Sequence, residues 1–283
     1  MASFSPAHAS RGGTEKRDTP FAIGYTFTVG GIDQVCSGSL VTSTLVVTAA
    51  HCVTDTAGNK STNYVFAGPG VALDAPINPA TQPKVLKVYT APGFVLTEEN
   101  DRDDIAFIQL DKPLATKGFI RIATAAEVAT IMNNAELKGY GYGDIYETNE
   151  PYSRFARWYP VNWNSTVASN TVQISSTTAS ACSGDSGGPI TMTLPSGEEV
   201  LVAVMSGASQ VVNNCGTATN GSFIMRVTTV NPYVNLIQSL LVKPKPKTYK
   251  ITCVKGKTKK FVTGTNPKCP SGYKQTAKVL ITK

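Results

Sequence analysis

Short runs of apolar residues, many alternating with polar ones, recur along most of the chain, and turns rich in Gly, Asn, Asp and Pro separate them. The runs fall at 21–29, 34–40, 44–48, 85–89 and 105–110, then at 136–142, 157–161, 171–174, 190–193, 200–205 and 223–228. Period-two runs of this length predict strands, and two such series predict an all-β protein of barrel type. The period then changes. Val230, Val234, Ile237 and Leu241 recur at helical spacing around Asn231 and Pro232, which predicts a helix with Asn231 as N-cap and Pro232 at its first position. Its apolar stripe is expected to dock on the second series of strands. No run approaches the ~18 apolar residues of a membrane-spanning helix.

Lys and Pro alternate over 243–247, the composition of a stiff, charged linker. Beyond it, 249–254 and 260–262 alternate like strands around Lys255, Gly256 and Lys257. The chain therefore reads as a leader at 1–9, a main domain at 10–242, a linker at 243–248 and a small module at 249–283. Thirty-five residues cannot bury much core, so the module is expected to need a staple between Cys253 and Cys269.

Charge sharpens this division. The formal net charge is +7, yet residues 243–283 hold twelve lysines and no acid, which leaves the rest of the chain with 14 basic against 19 acidic residues. A lysine-rich extension of this kind is either a solvated surface or a contact for an acidic partner such as a wall polymer, an anionic lipid or nucleic acid. Little aromatic interleaving accompanies it, so specific nucleic-acid recognition is not expected. The six cysteines fall into three neighbouring couples, Cys36 with Cys52, Cys182 with Cys215 and Cys253 with Cys269. Local pairing of an even count reads as disulfides and so as an oxidising, extracytoplasmic setting, while the spacing does not suit zinc. Ala7, His8 and Ala9 have the small-x-small form of a signal-peptidase site. Residues 1–9 are thus the remnant of a secretory signal or a disordered terminus.

The candidate chemistry centres on Cys182, Ser183, Gly184, Asp185, Ser186, Gly187, Gly188 and Pro189, a glycine-rich turn between two strand-like runs. Glycines let such a turn lift a serine clear of a sheet and leave backbone N–H groups free for a ligand. A serine hydroxyl needs a base. Of the two histidines, His8 lies in a patternless segment, whereas His51 closes an apolar strand and precedes Cys52. A carboxylate must then orient the imidazole. Asp104 directly heads the apolar run at 105–110 and is favoured, with Asp103 and Asp101 as alternatives.

Thr48, Ala49, Ala50, His51 and Cys52, then Asp104, Ile105 and Ala106, then Gly184 through Pro189, resemble in this order the three signature segments of trypsin/chymotrypsin-like serine endopeptidases, and the segment beginning Cys36, Ser37, Gly38 resembles the strand before the family's histidine. The resemblance covers roughly residues 10–242. It implies two antiparallel six-stranded β-barrels with the active site between them, and it supports the first two disulfides. It also implies a triad of His51, Asp104 and Ser186, an oxyanion hole of the Gly184 and Ser186 N–H groups, and an ion pair between Asp185 and a new N-terminal amine. Here that amine would be Ser10, released by cleavage after Ala9, although the usual two aliphatic residues are missing before Gly12 and Gly13. Ser180 takes the place of the pocket-floor residue, and Ser206, Gly207 and Ala208 that of the substrate-pairing strand, with Ser206 also supporting Asp104. A neutral floor implies small to medium apolar side chains on the acyl side of the cleaved bond (P1), aromatics next, rather than Arg or Lys. The expected protein is a secreted, monomeric, zymogen-like endopeptidase acting on peptides or proteins, with no cofactor, metal or membrane span. The rival expectation is a catalytically silent relative that binds or adheres through its basic tail.

Overall fold

Two glycines at positive φ, Gly30 at 58° and Gly31 at 81°, let the chain reverse in two residues and pair Val29 with Ile32. That tight hairpin starts the first of two sheets. The computed structural model describes residues 11–76, 78–95, 102–145, 152–168, 170–212, 215–241 and 249–280. They belong to two units, Met1–Ile237 and Gln238–Lys283.

In the first unit, strands β1 (Ala22–Val29), β2 (Ile32–Thr42), β3 (Leu45–Thr48), β4 (Thr62–Ala67), β5 (Val85–Thr90) and β6 (Ala106–Leu110) form one six-stranded sheet in the order β4-β1-β2-β3-β6-β5. Their inward alternation buries Ile23, Tyr25, Phe27, Leu40, Val46, Phe66 and Ile108 in one core. Among the described residues no ladder joins the end strands β4 and β5. Instead the Gln82 side chain meets the exposed edge of β4, accepting from Phe66 N–H at 3.2 Å and donating to Phe66 O at 2.9 Å. A side-chain amide thus takes the place of the missing strand pair.

Strands β7 (Glu136–Gly141), β8 (Arg157–Ala168), β9 (Thr171–Ser176), β10 (Pro189–Thr193), β11 (Glu199–Ala208) and β12 (Ser222–Thr229) pair in a ring, because β12 ladders with both β9 and β11. This barrel is closed around Tyr159, Ile174, Ile190, Met205 and Val227. The all-β expectation and the six strands per barrel hold, with full closure in the second barrel, whose sheet is extended to nine strands by the two-residue strands Thr14–Glu15, Arg121–Ile122 and Ala218–Thr219.

A short helix, α1 (Ala125–Ala129), precedes β7 and carries a capping box between Thr124 and Glu127. The helix after β12 begins differently from expectation. Asn231–Tyr233 is a 3₁₀ turn whose cap is Val230, with Pro232 in its first positions, and α2 (Val234–Leu241) continues from it. Val230 and Ile237 are buried, whereas Leu241 is 46% exposed and falls off the stripe. In the second unit β13 (Tyr249–Lys255) lies between β14 (Thr258–Gly264) and β15 (Lys274–Leu280), with Ile251 and Cys253 buried. The disulfides are Cys36–Cys52, Cys182–Cys215 and Cys253–Cys269.

Candidate active site

The antiparallel register of β3 and β6 pairs Val47 with Phe107 and Thr48 with Ala106. Continued past that last pair, the two chains bring residues just after Thr48 alongside those just before Ala106. The chain leaving β3 curls into a 3₁₀ turn, Ala50–Cys52, which the Cys36–Cys52 disulfide ties back to β2. His51 sits in this turn. Its ring Nδ1 lies 2.7 Å from Asp104 Oδ2, and its backbone N–H donates to Asp104 Oδ1 at 3.0 Å.

Asp104 is fully buried, and the second barrel supplies its third partner. The ladder of β11 with β12 slips between Met205 and Gly207, so Ser206 stands in a bulge, and its hydroxyl donates to Asp104 Oδ2 at 2.6 Å. Bulges commonly re-aim a side chain in this way. Burial by itself would raise the Asp104 carboxyl, but the His51 charge, the His51 hydrogen bonds and the Ser206 hydroxyl outweigh it and hold the pKa below the usual carboxylate range.

Asp103, one of the alternatives, turns elsewhere. With φ at +50° it aims its carboxylate away from its neighbour, toward Tyr233 OH at 2.5 Å and Asn170 Nδ2 at 2.8 Å. It straps the segment before β6 to the second barrel. Asp101 lies outside the described residues.

Ser186 rides on the turn between Cys182 and β10. Asp185 N–H bonds to Cys182 O and Gly188 N–H to Asp185 O, and among the described residues no hydrogen bond occupies the N–H of Gly184 or Ser186. The turn is pressed onto the first barrel: Ser37 N–H donates to Ser186 O at 2.8 Å, and Cys52 Sγ lies 3.7 Å from the same oxygen. Gly187, at φ +79°, is so close to this wall that a Cβ would come within 2.1 Å of Thr48 Oγ1 and 2.4 Å of Ser37 O. Ser186 is therefore seated beside the 3₁₀ turn that carries His51. Ser186 and His51 both retain partial exposure.

Asp185 is also fully buried, accepting from Gly143 N–H at 2.9 Å and Cys182 N–H at 2.8 Å. Arg11 lies nearby: its N–H approaches Cys182 Sγ at 3.4 Å, and its carbonyl accepts from Ser180 N–H at 2.8 Å. Gly12 must be glycine there, because a Cβ would come within 1.8 Å of Thr178 O. Ser10 itself lies outside the described residues.

Beside Ser186 opens a pocket of about 190 Å³, lined by Ala181, Cys182, Ser183, Met205, Gly207, Ala208 and Val211. No charged residue is in that lining. Ser180, expected at the pocket floor, is not in that lining; it is fully buried against Gly216, where an added Cβ would meet Ser180 Oγ at 2.2 Å and Ala208 Cβ at 2.8 Å. Cys36, His51 and Cys52 cluster within 4.8 Å, but the two sulfurs are joined to each other and offer no thiolate pair to a metal. Sequence reasoning missed Ser37 and the 142–144 segment, although the contiguity of Ser37 with Cys36 was a usable signal.

A family model described as Trypsin matches residues 10–234. A trypsin-like protease of Streptomyces glaucescens is 29% identical over 184 residues, which cover 60% of this chain and 64% of that protein. A serine protease of Anopheles gambiae is 28% identical over 220 residues, covering 73% of this chain and 72% of the other. The heavy chain of a venom peptide isomerase from Agelenopsis aperta is 28% identical over 113 residues, with 40% and 45% covered. The match thus spans somewhat under two thirds of the first relative and somewhat over two thirds of the second.

The depressed Asp104 carboxyl sets a pH dependence. A carboxylate held below its unfolded value contributes stability that is complete above that value, 3.8, and is lost as pH falls through the folded-state pKa. The urea concentration needed for unfolding, measured between pH 6 and pH 2, is expected to drop once the pH is below about 4. Asp104→Asn should flatten part of that loss, and an unchanged slope would assign the titration to other groups.

Proposed function

The chain belongs to the trypsin family, and from that premise we propose that it is a secreted serine endopeptidase that cleaves peptide bonds through an acyl-enzyme on Ser186. The observation that carries the reading is Asp104, buried in the seam between barrels and holding both the ring and the backbone of His51. In this orientation Nδ1 keeps its proton toward the carboxylate and Nε2 serves as the base.

The reaction then runs in two halves. Ser186 Oγ bonds to the carbonyl carbon as its proton passes to His51 Nε2, and the oxygen that gains charge is received by the Gly184 and Ser186 N–H groups. His51 returns the proton to the departing amine as the C–N bond breaks, which leaves an ester on Ser186. Water repeats the sequence, giving its proton to His51, and the carboxylic acid leaves as Oγ is reprotonated.

The pocket's uncharged walls and modest volume favour small to medium apolar P1 side chains, with aromatics next and Arg or Lys disfavoured. Three disulfides among the described residues favour an oxidising, extracellular compartment. Activation rests on an ion pair between a Ser10 amine released by cleavage and Asp185; what supports it is that Arg11, the next residue, is held against Cys182, whose N–H binds the same carboxylate.

The C-terminal module has its own surface. One face of its sheet buries Ile251 and Cys253, while the strand pairings gather Lys250, Lys259, Lys274, Phe261, Ala277 and Val279 on the other. Phe261 and Val279 are 62% and 58% exposed, and no acid occurs in the module. Cations set among apolar side chains match an acidic polysaccharide, which offers carboxylates and the C–H faces of its rings. Stacking of nucleic-acid bases is disfavoured, because Lys250 Nζ sits 4.4 Å over the Phe261 ring.

Four measurements test these proposals. Ser186→Ala should lower kcat roughly a million-fold, and a peptide library should rank Ala, Val and Leu above Phe and far above Arg at P1. A library won by Arg overturns the pocket assignment. N-terminal sequencing of active enzyme should begin at Ser10, whereas full activity with Met1 intact removes the activation scheme. The full chain should be retained on polygalacturonate but not on dextran, less so in high salt. Combined Lys250→Gln, Lys259→Gln and Lys274→Gln should weaken retention about tenfold. Failure to bind, or preferential binding to DNA or anionic vesicles, overturns the glycan proposal.

A further inference from the structure

Ser37 lies on β2, 1% exposed, and every polar group it has is engaged, the N–H and the hydroxyl across the seam between the barrels. Its N–H donates to Ser186 O at 2.8 Å, and its carbonyl accepts from Thr48 Oγ1 at 2.8 Å. Its hydroxyl donates to Gly184 O at 2.7 Å and accepts from Tyr142 N–H at 2.9 Å. One hydroxyl thus joins β2, the nucleophile turn and the 142–144 segment.

We propose that the Ser37 side chain is a positioning residue for the oxyanion hole, acting through the peptides that carry its two N–H donors. The carbonyls of Gly184 and Ser186 bracket the peptide whose N–H is that of Ser186, and Ser37 holds both of them. The same hydroxyl anchors Tyr142, two residues before Asp144, whose N–H binds Ser183 O at 2.8 Å. In a trans peptide the N–H points opposite to the C=O. Fixing Ser183 O therefore aims the Gly184 N–H the other way. Gly184 has φ +94°, so its flanking peptides have the freedom of glycine and rotate at little steric cost unless something restrains them. The Ser37 hydroxyl is that restraint.

This inference rests on the serine endopeptidase reading, and the test separates the two. Diisopropyl fluorophosphate should label Ser186 in activated wild-type protein that begins at Ser10; absence of labelling there overturns the enzyme reading itself. Ser37→Ala and Ser37→Gly keep the backbone bond to Ser186 O and remove only the hydroxyl. Per titrated active site, kcat should fall about ten- to a hundredfold with KM little changed, the scale set by misplacing a preorganised donor. Affinity for a peptide aldehyde, which forms a tetrahedral oxyanion, should fall in parallel, while affinity for an uncleaved competitor peptide should not. Ser37→Thr, which restores a hydroxyl, should recover most of the rate. Unchanged kcat and aldehyde affinity per active site in both deletion variants, or equal losses for aldehyde and competitor, overturn the role while leaving the enzyme reading intact.

Discussion

A carboxylate withdrawn from water must have its lone pairs answered by the protein, and in this chain that requirement falls on Asp104 at the join of two separately built barrels. The first barrel gives the ring and backbone N–H of His51, and the second gives the hydroxyl of Ser206. Losing one partner of a buried charge of this kind costs about 3–5 kcal/mol. The barrels therefore cannot slide or rotate against each other without exposing or orphaning that charge. The geometry proposed for catalysis and the docking of the barrels are the same constraint.

Around it the seam is polar by construction. Strand alternation on β2 turns Cys36 one way, into the disulfide with Cys52, and Ser37 the other. Tyr25 OH lies 2.7 Å from Thr48 Oγ1, which donates to Ser37 O, so a chain of hydroxyls runs from the first core to the nucleophile turn. Asp103 adds a second strap through Tyr233 and Asn170. Hydrogen bonds are directional where apolar contact is not, so this join fixes orientation as well as proximity.

The strands of both barrels were legible because each buries one face, which imposes alternation on the residues. Asp104 could be preferred over Asp103 because it alone abuts the buried run at 105–110, and the φ of +50° at Asp103 shows how the backbone sends adjacent carboxylates to different partners. What local patterning did not carry was non-local. The support of Asp104 by Ser206 was expected from the family resemblance alone, because the slip in the ladder that exposes Ser206 to Asp104 depends on the pairing of β11 with β12, and no short pattern around Ser206 encodes it. The edge strand β4 was missed because its first residues are exposed and lack strong alternation. The helix start was misplaced at Asn231 because Pro232 suits a 3₁₀ turn as well as an α-helix. The helix α1 was missed as well, although it carried a readable signal, Thr124 followed three residues later by Glu127.

The two kinds of information have different origins. A nucleophile needs glycines around it for reasons of local shape, so Gly184 and Gly187 announce the turn in the sequence. The direction in which that turn's N–H groups point is decided by who holds its carbonyls, and those holders are Ser37, more than a hundred residues earlier, and Asp144 on another loop. Glycine supplies freedom and the seam removes it. The same division explains why a motif can be complete while a site is not: Gly184, Asp185 and Ser186 specify a turn able to present an oxyanion hole, and the docking of the barrels determines whether that hole is formed.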